Sequence, residues 1–502
     1  MTDARNKQDR ATTQGRRISR EKPVVPQQAG VATGPKPGSG TKYITWVTLA
    51  LMTTSSVASL RAAPAMAVYG LACVFLYAIP ALLFLLPTSL VAAELASGWD
   101  GGVYRWVGIG LSKPLGFLAV WCQFSMTIFY YPSLLAYVAS TFAFIINPAL
   151  AGNGTYVAIV IVTLFWSGVF LSSQGTKTVA GLSSMGLIVG TLIPGTMLAV
   201  LGFIFLGQGN PSAAPLDVHH LLPAWTGLAS LVLIVNNFLS YAGMEMNAVH
   251  VSSLRNPSRE YPKAMFLAVG LVLAIFIIPA LVISWVVPAK ELSLTAGVMQ
   301  AFDGFFTHFG IGYLTPVLGV ALIAAALGGM LTWLAGPSKG LLLLGRTEGY
   351  LPPFLTRLNK HGVQQNMLMV QGVVTTLLAL LYAFIPNVSS AYWILSVITT
   401  QIYLIMYVLM FAAAAKLRRD DPDHARGYRA PMLPALCIIG TMASVAAFMI
   451  GFVPPSQFGA GSPLVYVLIV CAGVGIVGLL IPYLFYRKRS ESWKTELPGE
   501  IA

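Results

Sequence analysis

TTSSVASLRAAP, from Thr53 to Pro64, and LSYAGMEMN, from Leu239 to Asn247, each place small and polar residues near the middle of a long apolar segment. A segment of that kind lies in hydrocarbon, where every backbone amide and carbonyl needs a partner within the protein. Small residues at such a place have one bland explanation, that they let neighbouring helices approach closely. The two stretches occur five segments apart, however, and matched interruptions in two halves of a chain point to a pair of broken helices with a binding site at the midplane. An inverted-repeat transporter is the architecture that uses such a pair.

The surrounding composition agrees. The chain has 502 residues, 56% hydrophobic and 9% charged, with a mean hydropathy of +0.74, whereas soluble domains are roughly 25% charged. A soluble enzyme of this length is excluded. Twelve apolar segments cover about 43–69, 71–97, 114–146, 154–174, 178–207, 223–253, 261–287, 312–345, 366–386, 390–415, 430–454 and 462–486, and in lipid each must be helical. The expected organisation is an all-α membrane protein. A disordered basic cytoplasmic tail spans 1–42, a twelve-helix transporter domain spans 43–486, and a short cytoplasmic tail spans 487–502.

The net charge of +13 does not signal nucleic acid, because the basic residues sit in loops between apolar runs rather than on one aromatic-laced face. Of the 30 Lys and Arg, nine lie in residues 1–42 and 19 in alternate loops and the C-terminus; Lys290 alone lies on the other side, and Arg61 lies within a segment. By the positive-inside rule this puts both termini in the cytoplasm of a multi-pass inner (cytoplasmic) membrane protein. Omitting or inventing one span would invert every later loop. Cys73, Cys122, Cys437 and Cys471 lie inside apolar runs without metal-site spacing. No zinc-protease, nucleophile-elbow or phosphate-loop motif occurs, so the expectation is a non-enzyme with no cofactor and no metal, whose partners are the bilayer and a small molecule.

Half-helix N-termini favour anions, so a substrate carboxylate is expected on amides around Ser56, Val57, Ala58 and Ser59. Arg61, Glu245 and His250 are the ionisable residues nearest the breaks, and such groups at a helix centre cost about 2.5–3.5 kcal/mol on insertion scales. They therefore face a cavity or a partner. Arg61 and Glu245 could equally be a structural ion pair, and His250 a packing residue. Glu94, near the end of the second segment, reads as structural. Gln123 needs partners in a dry setting, and Tyr130, Tyr131, Trp333 and Tyr403 lie on segments expected to line the cavity.

Longer stretches carry a family resemblance: PTSLVAAELASGWDGGVYRW (Pro87–Trp106), LSYAGMEMNAVHVSSLRNPSREYP (Leu239–Pro262), LTAGVMQAF (Leu294–Phe302), GPSKG (Gly336–Gly340) and LNKHGV (Leu358–Val363). The chain resembles the glutamate/GABA antiporter family of amino acid permeases, within the amino acid-polyamine-organocation superfamily, from about residue 43 to 486. The resemblance implies a LeuT-type five-plus-five inverted repeat with broken helices 1 and 6, and exchange of an amino acid for a related amino acid or its decarboxylated amine. It also implies a substrate site on Val57–Ser59 and on Ser240, Tyr241, Ala242 and Gly243, with Gly243 and Glu245 matching the permease G-x-E motif whose acid is linked to gating. Proton-coupled uptake, with Glu245 or His250 titrating, is the alternative. The pattern departs at Arg61, where the glutamate/GABA exchanger has an aromatic, and at Gly328 and Gly329, where that exchanger has an acid. Only 16 residues follow Tyr486, too few for that exchanger's C-terminal plug.

Overall fold

The computed structural model describes residues 43–174, 188–457 and 462–495. The tail expected over 1–42 and the last residues of 487–502 lie outside the described residues. Within them the chain is helical and contains no strand. Eleven helices are long and apolar enough to cross a membrane: Gly70–Gly98, Lys113–Ile146, Gly154–Ser173, Val189–Gly207, Leu228–Met246, Pro257–Val286, Gly312–Glu348, Gln365–Phe384, Val388–Asp420, Leu433–Ile450 and Pro463–Lys488. The first of the twelve segments is the remaining crossing. It consists of Trp46–Val57 and Ala63–Ala67 joined through an extended linker and a 3₁₀ turn, Leu60–Ala62. Numbered in chain order, these are spans one to twelve.

Two further helices, Gly102–Gly110 and Gly297–Phe309, are too short to cross a bilayer and lie outside the twelve apolar segments. Their exposed and buried residues alternate with helical period, as for helices resting on a surface. Burial ranks the spans. In the third and tenth, 78% and 83% of the core window is covered by protein, against 22% in the twelfth. The third and tenth are therefore the central posts, and the twelfth faces lipid.

The second and tenth spans are joined at one end by charge. Glu94, buried at the end of the second span, accepts from Arg418 Nε at 2.6 Å and from Arg418 Nη2, and takes the Ala430 N–H at 2.8 Å. A bidentate guanidinium plus a backbone donor satisfies a carboxylate that would otherwise be costly to bury.

Helix contacts elsewhere rest on small residues. A Cβ at Gly372, on the ninth span, would lie 2.9 Å from the Trp166 ring, which a hydrogen bond from Nε1 to Thr376 Oγ1 at 3.0 Å holds in place. Gly372→Ala is expected to lower stability by about 1–3 kcal/mol through overpacking, read as a fall in the melting temperature of the purified protein. Gly207→Ala, with open space around its Cβ, should leave it unchanged; equal effects of the two would contradict this packing.

Candidate functional site

The first span breaks because its hydroxyls and small residues let it. Thr53, Thr54, Ser55 and Ser56 return their hydroxyls to carbonyls one turn back, at Leu49, Ala50 and Met52, which keeps them satisfied within the helix. Ala58 N–H bonds Thr54 O and ends it; Ala58 and Ser59 are then extended. Ser59 Oγ accepts the Arg61 N–H at 3.4 Å. The N–H groups of Ser59 and Leu60 have no acceptor among the described residues.

The sixth span breaks at Ala242, which is extended, and at Gly243, whose φ of +106° suits only glycine. Here the protein supplies the partners. Gly243 N–H donates to Tyr407 Oη at 2.8 Å and to Glu245 Oε2 at 3.2 Å, while Tyr403 and Tyr407 donate to the two Glu245 oxygens at 2.6 Å each. Three donors converge on a carboxylate only 2% exposed, the arrangement a buried anion requires.

Between the breaks lies a cavity of about 60 Å³, room for several waters or the backbone of an amino acid. Of the expected residues, Ser56, Val57, Ser59, Arg61, Ser240, Ala242, Trp333 and Tyr403 line it, joined by Ala62, Met126, Tyr130, Leu239 and Phe276. Ser55 and Ser56 are exposed, as are Gly329, Thr332 and Gly336 on the eighth span. That trio occupies a different helix face from lipid-exposed Val317 and Val320. Leu60, Phe276 and Tyr392 are buried.

Other expected residues lie elsewhere. Tyr241 is fully buried, its hydroxyl on the Tyr77 carbonyl at 2.9 Å and its ring beside Phe276. Successive helix residues point about 100° apart, so Ser240 facing the cavity turns Tyr241 into the core. Gly243 is committed to Tyr407 and Glu245, and Ala58 is not at the cavity wall. Gln123 stands one layer back, against the Tyr403 hydroxyl. Tyr130 lines the cavity but Tyr131 packs on Phe165, and His250, in the turn Val249–Ser253, is away from the cavity.

Arg61 and Glu245 are not an ion pair. Arg61 is 8% exposed; Nη1 donates to Tyr392 Oη at 3.1 Å and Ser133 Oγ at 3.5 Å, and the guanidinium carbon lies 5.0 Å from the Tyr130 ring centroid. Among the described residues no carboxylate comes within ion-pair distance of it. Tyr407 was legible in principle, one turn from Tyr403 on a helix; Tyr392 and Ser133 carry no local signal, because they meet Arg61 only through the fold.

With this geometry in view, comparison with known proteins is consistent throughout. The profile of the amino acid permease family matches residues 44–476. An uncharacterized transporter of Legionella pneumophila is 35% identical over 461 residues, 91% of this chain and 99% of that protein. A glutamate/gamma-aminobutyrate antiporter of Lactococcus lactis is 30% identical over 446 residues, 87% of this chain and 88% of that one. The crystal structure of MhsT in complex with L-phenylalanine shares the fold at 16% identity, with a TM-score of 0.54, covering 82% of this chain and 99% of that one. The chain belongs to the amino acid permease family, within the amino acid-polyamine-organocation superfamily, and has the LeuT-type fold. It is a multi-pass membrane transporter acting on small-molecule amino acids.

Tyr407→Phe would remove both the donor to Glu245 Oε2 and the acceptor of the Gly243 N–H. Losing a hydrogen bond to a charged group costs about 1.5–3 kcal/mol, so transport turnover is expected to fall about tenfold or more with substrate affinity little changed. Initial rates and equilibrium binding check this; a variant with normal turnover would remove Glu245 and its phenols from the working cycle.

Proposed function

We propose that this chain is a secondary transporter that exchanges an amino acid for a related amino acid or its decarboxylated amine by alternating access. The observation that carries the reading is the unequal treatment of the two breaks. The sixth-span break is satisfied by Tyr407 and Glu245, while at the first-span break the N–H groups of Ser59, which lines the cavity, and of Leu60 next to it have no acceptor among the described residues. A substrate carboxylate completes those donors, and the carbonyl end of Trp46–Val57 suits the ammonium group. Ser56, Val57, Ser59, Ser240, Ala242, Trp333 and Tyr403 then surround the substrate, with Gln123 supporting Tyr403.

Transport proceeds by rocking spans one, two, six and seven against the rest, with Glu245 coupling the sixth-span break to the tenth span as the gating acid. The charge pattern of the loops supports cytoplasmic termini in the inner membrane. The 30% identity to a protein named as an antiporter and the absence of Lys from the fifth apolar segment favour exchange. Proton-coupled uptake is the second reading, supported by the buried carboxyl of Glu245. Net uptake separates the two: an exchanger accumulates label only in proteoliposomes loaded with internal substrate, and accumulation in substrate-free proteoliposomes driven by an inward proton gradient would select the second reading.

Arg61 gives the site its charge preference. A fixed cation without a carboxylate partner disfavours substrates with cationic side chains and favours neutral or acidic ones. Arg61→Gln, verified as monodisperse protein, is expected to gain basic amino acids or lose acidic ones in proteoliposome exchange. An unchanged order among acidic, neutral and basic substrates would refute this role. Ser59→Leu should fill the space beside the open amides and abolish binding in a folded protein; wild-type affinity there would refute the carboxylate site.

A further inference from the structure

The loop 421–432, between the tenth and eleventh spans, folds over the end of the second span. Ser97 Oγ donates to the Tyr428 carbonyl at 3.2 Å and accepts the Tyr428 N–H at 3.1 Å. Tyr428 in turn packs on Tyr261 of the seventh span, with ring centroids 5.3 Å apart. His424 closes the joint. Its ring stacks on Trp99, with centroids 4.4 Å apart and planes 3° from parallel. Nε2 lies 2.8 Å from the Gly98 carbonyl oxygen, and Nδ1 lies 3.2 Å from Asp421 Oδ2. The close approach depends on Gly98, since a Cβ there would lie 3.2 Å from Arg426 Cγ and 3.5 Å from His424 Cδ2.

Both ring nitrogens thus face oxygens that only accept. Neutral imidazole carries one N–H and would turn a lone pair toward one of them; imidazolium donates to both. A cation also gains from the Trp99 face. We propose that His424 is a proton-binding site that fastens the 421–432 loop to the second span, so that a proton taken from the cytoplasmic side stiffens the joint between moving and static helices and slows exchange. The effect on exchange rests on the transport reading above; the binding of the proton does not.

The charged neighbours bear on this. Asp421 is in contact; Arg426 lies 5.1 Å from the Trp99 centroid, and Arg418 is paired with Glu94, from which Arg426 Nε is 3.6 Å away. Arg429, the third guanidinium, sits on the Pro422 carbonyl at the exposed edge, where water and salt screen it. Glu94 offsets the two inner arginines, leaving direct contact with Asp421 and the carbonyl to dominate at His424. Burial pushes the Tyr428 hydroxyl up to about 12, so it does not titrate in the histidine range. His424 is about one-third exposed, within reach of solvent protons.

The test compares full-length wild type with His424→Gln and Asp421→Asn. The melting temperature of wild type should exceed that of His424→Gln by more at about pH 5.5 than at about pH 8, the range over which histidine titrates. A difference independent of pH overturns the proton site. In proteoliposomes, homo-exchange of labelled L-glutamate, or of the amino acid giving the largest counterflow signal, should slow in wild type as internal pH falls. The slowing should reach about tenfold or more, the equivalent of one charge-assisted hydrogen bond, with a flat profile in His424→Gln and a weakened one in Asp421→Asn. A wild-type pH profile retained by His424→Gln overturns the link to exchange. If no amino acid exchanges in wild type at any pH, the transport reading fails, and the melting comparison still decides the proton site.

Discussion

A polypeptide in hydrocarbon cannot leave its backbone unpaired, and this chain interrupts two helices where that rule is strictest. Everything near the breaks answers to it. At Gly243 the freed amide is shared between a phenol and a carboxylate that are themselves hydrogen-bonded, and the carboxylate is in turn held by the two tyrosines of the tenth span. At Ser59, on the cavity wall, the equivalent donor has no acceptor among the described residues. One break is thereby closed by the protein's own side chains, and the other, among the described residues, is not.

The buried charges follow the same logic at different levels of compensation. Glu94 has a bidentate arginine and a backbone donor, which makes it an anchor between the second and tenth spans. Glu245 is held by neutral phenols and the Gly243 N–H, which satisfy its oxygens without supplying a counter-charge. Arg61 has a phenol, a serine and an aromatic face, the least compensation of the three. A charge at mid-membrane without a counter-charge is costly, and Arg61 is held on the cavity wall by hydroxyl oxygens and an aromatic face.

The Gly98 end of the second span adds a further layer. Glu94, Ser97, Gly98 and Trp99, within six residues of sequence, each contact the 421–432 loop. That loop also reaches the seventh span through Tyr428, so it touches two helices of the bundle expected to move while being rooted in the tenth. A joint of this kind can influence the rate of a rigid-body motion without touching substrate, since its contacts are made or strained only as the two bodies turn.

Which features were legible without coordinates, and which were not, follows from the range of the forces involved. Hydrophobicity, loop charge and backbone satisfaction are local, so the apolar segments, the two breaks and the ionisable residues beside them could be read from the chain alone, and the cavity walls at Ser56, Val57, Ser59, Arg61, Ser240 and Ala242 followed from proximity to those breaks. Side-chain direction depends on helix rotation, and partnership on which distant helix arrives. Tyr241 turning from the cavity, Arg61 meeting Tyr392 rather than Glu245, and Glu245 meeting Tyr403 and Tyr407 are decided by packing between residues separated by 158 to 331 positions. The short helices Gly102–Gly110 and Gly297–Phe309 escaped for a related reason. Too short to span and apolar on one face only, they are stabilised by the surface on which they rest, and that surface exists only once the twelve spans have assembled.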